Sequence, residues 1–177
     1  MAAGEGIWKS LGTSFNFSSS NQDEAERTQY MIYGASSSVG LFALQLAKLM
    51  GYRPIAICSP HNFDLVKSYG AEATVDYHDG EKASAEIKRI SEGRVELGLD
   101  TISAGESFMI SLNGFGDKGG QLNVILPPSE EATRFRPNIK VANTFMYTLF
   151  GRVSFLRIPS SSIRADGGTG VQDGLQA

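Results

Sequence analysis

Between residues 29 and 126 short aliphatic or β-branched runs alternate with stretches whose apolar positions recur every three to four residues. Runs at 30–33, 53–58, 73–75, 96–102 and 120–126 predict strands. After the first run, Val39, Phe42, Ala43, Leu46 and Met50 fall at helical spacing, and Gly51 follows as a stop. Ser59-Pro60 opens a second helix, carried by Phe63, Val66 and Lys67 to Gly70. Serine can cap such a helix, and proline fits its first turn because the N–H it lacks would have no partner there. Further helices are predicted over 81–90 and 104–115, and Pro127-Pro128 halts the last strand. Regular alternation of this kind predicts an α/β fold, a doubly wound parallel sheet of the Rossmann type.

The first strand runs directly into Gly34-Ala35-Ser36-Ser37-Ser38-Val39-Gly40 and then into a helix. Dinucleotide folds bind the pyrophosphate at this position, where small residues admit the phosphate and the helix N-terminus attracts negative charge. Gly34 suits the tight turn and Gly40 suits close approach of the helix to the sheet. The hydroxyls of Ser36, Ser37 and Ser38 can donate to phosphate oxygens. The spacing differs from G-x-G-x-x-G, so the strand–turn–helix context carries the assignment. At the tip of the second strand an NAD site usually places an acid that accepts from the ribose hydroxyls. Here the segment is Ser59-Pro60-His61-Asn62, with no carboxylate before Asp64. That chemistry favours the 2′-phosphate of NADP, and Tyr77 after the third strand could reach the same end. Ser59 also reads as a helix cap, and His61 as a surface residue.

The flanks carry no such pattern. Residues 1–28 are polar and small, and only Ile7, Trp8, Leu11, Phe15 and Phe17 could dock on anything. From Gly151 onward, Ser160-Ser161-Ser162 and Gly167-Gly168-Thr169-Gly170 favour a mobile tail. The expected organisation is an irregular N-terminal arm over 1–28, a dinucleotide-binding domain over 29–150 and a Gly/Ser-rich tail over 151–177. A net charge of −3 argues against nucleic-acid or anionic-membrane partners. Cys58 is alone and His61 and His78 lie in no ligand spacing, so neither a disulfide nor a metal site is expected. No basic-then-apolar leader opens the chain, and the apolar stretch over 39–47 is too short to span a bilayer. A cytoplasmic location is expected. The motifs Tyr-x-x-x-Lys, G-x-S-x-G and G-x-x-x-x-G-K-[ST] are absent from the sequence. Glu130-Glu131, Arg134 and Arg136 read as solvated charges.

The stretch from Tyr33 to Tyr77, with Gly34-Ala-Ser-Ser-Ser-Val-Gly40, Ser59-Pro-His-Asn62-Phe-Asp and Gly70-Ala71-Glu72, resembles the medium-chain dehydrogenase/reductase superfamily. Within it, the chain is most similar to the zinc-independent branch and to the fungal trans-acting enoyl reductases that serve polyketide synthases. The resemblance covers residues 7–150. It implies that Ser36, Ser37, Ser38 and Val39 hold the cofactor phosphates, and that Ser59, Pro60, His61, Asn62 and Tyr77 hold the adenosine 2′-phosphate end. The backbone at Val124 and Ile125 would lie beside the nicotinamide, and Phe145, Met146, Tyr147, Thr148 and Leu149 would border the substrate. The implied activity is NADPH-dependent reduction of an α,β-unsaturated polyketide thioester, with NADP as cofactor. A polyketide synthase or its carrier-bound substrate would be the partner. Relative to quinone-reductase relatives, Ser37 and Ser38 replace glycines, which exchanges backbone access for hydroxyl donors. The family's catalytic domain is not recognisable in the sequence, so the chain is expected to represent the nucleotide-binding domain, and no catalytic acid is assigned. Two other functions remain open: a non-catalytic or vestigial NADP-binding domain, and a quinone-reductase-like oxidoreductase. A methyltransferase-like nucleoside binder fits poorly, because it would favour an acid at the second strand tip.

Overall fold

The first strand, β1 (Gln29–Tyr33), is buried along its whole length, as a strand covered by helices on both faces must be. The computed structural model describes residues 28–127 and 134–143. They lie in the first of the two units, residues 1–146 and 147–177, into which the chain divides. After β1 come α1 (Ser38–Leu49), β2 (Arg53–Ile57), a 3-10 turn (Pro60–Asn62) leading into α2 (Phe63–Ser68), and β3 (Ala73–Val75). Then follow α3 (Gly80–Ser91), β4 (Leu97–Asp100), α4 (Ser107–Gly114), β5 (Gly120–Val124) and β6 (Ile139–Asn143).

The strands form one parallel sheet in the order β3-β2-β1-β4-β5-β6. Strand order reverses between β1 and β4, and in sheets of this kind ligands bind in the crevice at the carboxyl ends of the two strands that flank the reversal. Side chains alternate across β1, so each face acquires its own core. Tyr30 and Ile32 pack with Ala43, Leu44 and Ala47 of α1 and Val66 of α2. Met31 and Tyr33 pack on the opposite face with Ile87 of α3, and Phe108 and Leu112 of α4. The expected doubly wound α/β architecture is borne out.

The differences lie in phase and boundaries. On α1 the buried positions are Gly40, Ala43, Leu44 and Ala47, while Phe42 is 64% exposed. The expected stripe is rotated because small residues, rather than the largest ones, let the helix lie close to the sheet. Strand β4 stops at Asp100 and α4 starts only at Ser107, because Ser103 (φ +53°) and Gly105 (φ +60°) turn the chain between them. Strand β6 adds a sixth strand to the five that the sequence predicts. It is the edge strand beside β5, and only Ile139 along it is buried, so it carries no full alternation to read. Arg136 is no mere solubility charge. Its guanidinium donates to the carbonyls of Leu112 (3.3 Å) and Gly116 (2.9 Å), at the C-terminal end of α4 where unpaired carbonyls attract cations. Among the described residues no helix is long and apolar enough to cross a membrane. The arm over 1–27, Phe145, Met146, Tyr147, Thr148 and Leu149, and the tail over 151–177 lie outside the described residues.

Candidate cofactor cleft

The turn after β1 is built by two close approaches. Gly34 has φ +68°, and a Cβ there would lie 2.4 Å from the Thr101 hydroxyl at the end of β4. At Gly40 a Cβ would lie 2.4 Å from the carbonyl oxygen of Gly34 and 2.6 Å from the Cα of Ala35. Gly40 thus seats α1 on the turn itself, a tighter constraint than the helix–sheet approach expected from the sequence.

The three serines of the turn have different roles. Ser37 caps α1, its Oγ accepting from the Gly40 N–H at 3.0 Å. The same Oγ lies 3.0 Å from Thr101 Oγ1, which itself lies within 2.9 Å of the Tyr33 carbonyl and 3.1 Å of the Gly34 carbonyl. Carbonyls only accept, so the Thr101 proton goes to them and the Ser37 proton goes to Thr101. The Ser37 main-chain N–H is also spent, on Gly34 O at 2.9 Å. Ser37 therefore shapes the turn and has no proton left for a phosphate. Ser36 and Ser38 make no side-chain hydrogen bond to other described residues, and Ser38 and Val39 open α1, where main-chain N–H groups lack intrahelical partners. An anion at this turn would meet those two hydroxyls and two N–H groups.

From the turn, an open cleft of about 570 Å³ runs along the ends of β1, β2 and β4 and reaches the loop after β3. Ser36, Ser37, Ser59 and Tyr77 line it together. Ser59 does not cap with its side chain. Its hydroxyl donates instead to Tyr77 Oη at 3.1 Å, across the β2–β3 boundary. The Tyr77 ring stacks on His78 with centroids 4.6 Å apart and planes 15° apart, and lies 5.9 Å from the Tyr33 ring. Pro60 and His61 are exposed, Asn62 is half-buried, and none of the three lines the cleft. Cys58 does, and burial pushes its thiol up to about 11, which keeps it protonated and unreactive at neutral pH.

The far wall is lined by Ile102, Ala104, Glu106 and Ser107, none singled out in the sequence, while Asp100, Ser103, Val124 and Ile125 stand behind it and do not line the cleft. Asp100 is fully buried, and its carboxyl accepts from the N–H groups of Ile102 (2.9 Å) and Ser103 (2.8 Å) and from the Ser107 hydroxyl (2.8 Å). Burial raises its pKa above the usual carboxylate range, against the opposing pull of those hydrogen bonds. Ser103 Oγ donates to the Asp100 carbonyl at 3.0 Å and accepts from the Ile125 N–H at 2.9 Å. Ile125 follows the last residue of β5, and its N–H is paired with this side chain. Val124, just before it, is buried, and Ile125 is half-buried. The signal available in the sequence was Asp100-Thr-Ile-Ser103, an acid at a strand end followed closely by a serine, the composition of a side-chain-closed turn.

The profile of the zinc-binding dehydrogenases matches residues 38–156. The chain belongs to that family. Members of the zinc-binding dehydrogenase family carry the metal in their name, yet among the described residues no three His, Cys, Asp or Glu side chains are grouped to hold one. Over 131 residues the chain is 40% identical to trans-enoyl reductase BOA5 of Botryotinia fuckeliana, covering 74% of this chain and 35% of that protein. A trans-enoyl reductase of Gibberella fujikuroi is 39% identical over 140 residues, covering 79% of this chain and 38% of its own length. The chain thus spans just over a third of the length of these curated relatives. Among solved structures, the CurK enoyl reductase superposes with a TM-score of 0.68 at 19% identity, over 84% of this chain and 42% of that one. The JamJ enoyl reductase gives 0.67 at 19% identity, over 85% and 43%. At such identities these two show the shared fold. The expected resemblance to medium-chain enoyl reductases is borne out.

Proposed function

We propose that these residues form the cofactor platform of an NADPH-dependent, trans-acting enoyl reductase that reduces an α,β-unsaturated polyketide thioester presented by a polyketide synthase. The observation that carries this reading is the cleft at the strand-order reversal. At one end Ser36 lines it, beside the start of α1 where Ser38 and Val39 carry N–H groups without intrahelical partners, and at the other end the Ser59–Tyr77 pair lines it. The dinucleotide's geometry asks for an anion site and an adenosine site so arranged. Identity near 40% to proteins named trans-enoyl reductases supports the chemistry.

When bound, NADPH would supply the hydride, and the fold supplies its placement. Ser36, Ser38 and Val39 would hold the pyrophosphate, with Ser37 fixing the turn from inside. Ser59 and Tyr77 would hold the adenosine end, with Pro60, His61 and Asn62 at its rim. The Asp100–Ser103–Ile125 chain would fix the wall beside the nicotinamide at Val124 and Ile125. Residues 145–149 would border the substrate. The cleft residues described here need an opposing wall to exclude water from the reacting carbons, and the longer relatives have the length to supply one.

A chimera tests this reading. Residues 29–126 of this chain replace the matching segment of the Botryotinia trans-enoyl reductase, and oxidation of NADPH by a short enoyl thioester is followed. Retained turnover is expected. A chimera that folds and binds NADPH but does not reduce the enoyl thioester would contradict it.

A further inference from the structure

No lysine or arginine is among the described residues that line the cleft, while Glu106 lines it and Asp76 stands beside His78. A phosphate dianion entering such a site would gain from a positive charge to offset these carboxylates. His78 is the side chain in the cleft able to supply it. Its Nδ1 contacts Asp76 Oδ1, and its main-chain N–H donates to the same oxygen at 3.1 Å. The Asp76 carboxyl is held below the usual range, chiefly by the hydrogen bond from the His78 side chain. An ionised carboxylate only accepts, so the proton of this pair sits on Nδ1. The ring is fixed in orientation by its stack on Tyr77. Nε2 makes no hydrogen bond to other described residues.

This arrangement ties charge and donor to one proton. In the neutral ring Nε2 presents a lone pair, which repels a phosphate oxygen. In the imidazolium, Nε2 presents an N–H and the ring carries a full positive charge. The neighbouring Tyr77 hydroxyl accepts from Ser59 at 3.1 Å and so keeps its own proton for a ligand. We propose that His78, held by Asp76 and Tyr77, is the residue through which this cleft recognises the 2′-phosphate monoester of NADPH, by an Nε2–H···O contact made in its protonated form. The proposal rests on the reading of the cleft as an NADPH site and adds the residue that sets its specificity.

Other titratable groups share the cleft. Tyr33 and Cys58 are pushed up by burial, to about 12 and about 11, and stay neutral across the physiological range. Tyr77 and Glu106 line it as well, and Asp79, next along the chain, pairs with Lys82 at 2.7 Å. The 2′-phosphate also titrates, so the test compares variants that hold these groups in common.

Affinities of NADPH and NADH are measured by calorimetry between about pH 6 and about pH 8, the range over which histidine changes charge. In the wild-type chain the NADPH-to-NADH affinity ratio is expected to fall about tenfold or more as pH rises, the loss of one charge-assisted hydrogen bond. In His78→Gln the ratio is expected to be low and not to fall. His78→Arg, charged throughout, is expected to keep a high ratio at the alkaline end. If both dinucleotides bind and the ratio in His78→Gln follows the wild type at every pH, the proposal is overturned. It is equally overturned if His78→Gln weakens NADH and NADPH alike with a lowered Tm, which marks a structural role. Failure of the wild-type chain to bind either dinucleotide would instead remove the NADPH reading itself, and the proposal with it.

Discussion

The hydroxyl of Ser37, in the turn after β1, lies 3.0 Å from the hydroxyl of Thr101 at the end of β4. This bond joins the two strands between which strand order reverses, and it consumes the proton that Ser37 could otherwise have offered a ligand. The walls of the cleft are therefore tied to each other before any ligand arrives.

The pair is open to a double-mutant cycle. Ser37→Ala removes a helix cap and is expected to cost about 1 kcal/mol, a fall in Tm of about 2–4 °C for a chain of this size. Thr101→Val removes the shared hydroxyl, at about 1–2 kcal/mol. The two effects should fall short of additivity by about 0.5–1.5 kcal/mol in urea unfolding. Strict additivity would show that the two hydroxyls do not interact.

Gly40 and Ser36 should separate shape from chemistry. Any side chain at Gly40 meets main-chain atoms at 2.4 and 2.6 Å, which cannot swing away. Gly40→Val is expected to lower both the unfolding midpoint and NADPH affinity severely. Ser36 has no internal partner among the described residues, so Ser36→Ala should leave Tm unchanged and weaken NADPH by about tenfold, one phosphate hydrogen bond. Unchanged stability and affinity in Gly40→Val would refute the turn assignment.

Asp100 should leave a pH signature on stability. Its folded pKa is raised by burial above the value near 3.9 of an unfolded aspartate. The native chain then binds the extra proton, so this group's contribution to stability is complete below about pH 3.9 and is lost as pH rises through the folded pKa. Asp76, Asp79 and Glu86, all lowered, contribute with the opposite sign, so the observable is the difference between wild type and Asp100→Asn. The neutral amide keeps an acceptor for Ile102 and Ser103, and its gain over wild type should grow with pH across that window. Denaturant midpoints measured between about pH 3 and about pH 7 check this, and a difference independent of pH would contradict it.

Much of this arrangement was legible in the sequence because the fold's own period wrote it there. The runs at 30–33 and 73–75 coincide closely with β1 and β3, and the Gly34–Gly40 turn falls at the reversal of strand order. The helical spacing that includes Phe42 does not mark the buried face, because a periodicity of large apolar residues does not register that glycine and alanine line the tightest contact. The far wall was missed for a different reason. Thr101 and Ser103 act through hydrogen bonds to residues 68 and 22 positions away, which no local pattern announces, whereas the Asp100 carboxyl bonds only to neighbours within seven residues and its turn was there to be read. The resemblance assigned His61, and not His78, to the adenosine end. The structure distinguishes them, since His78 lines the cleft and His61 does not.

The most direct test is which dinucleotide the cleft prefers. Ser59 and Tyr77 present hydroxyls where an NAD site would present an acid. Calorimetric titration of the chain with NADPH and NADH near neutral pH should show NADPH binding about tenfold tighter or more, and Ser59→Asp should invert that order by placing a carboxylate against the phosphate. NADH binding as tightly as NADPH, or a Ser59→Asp chain that still prefers NADPH, would contradict the NADPH reading.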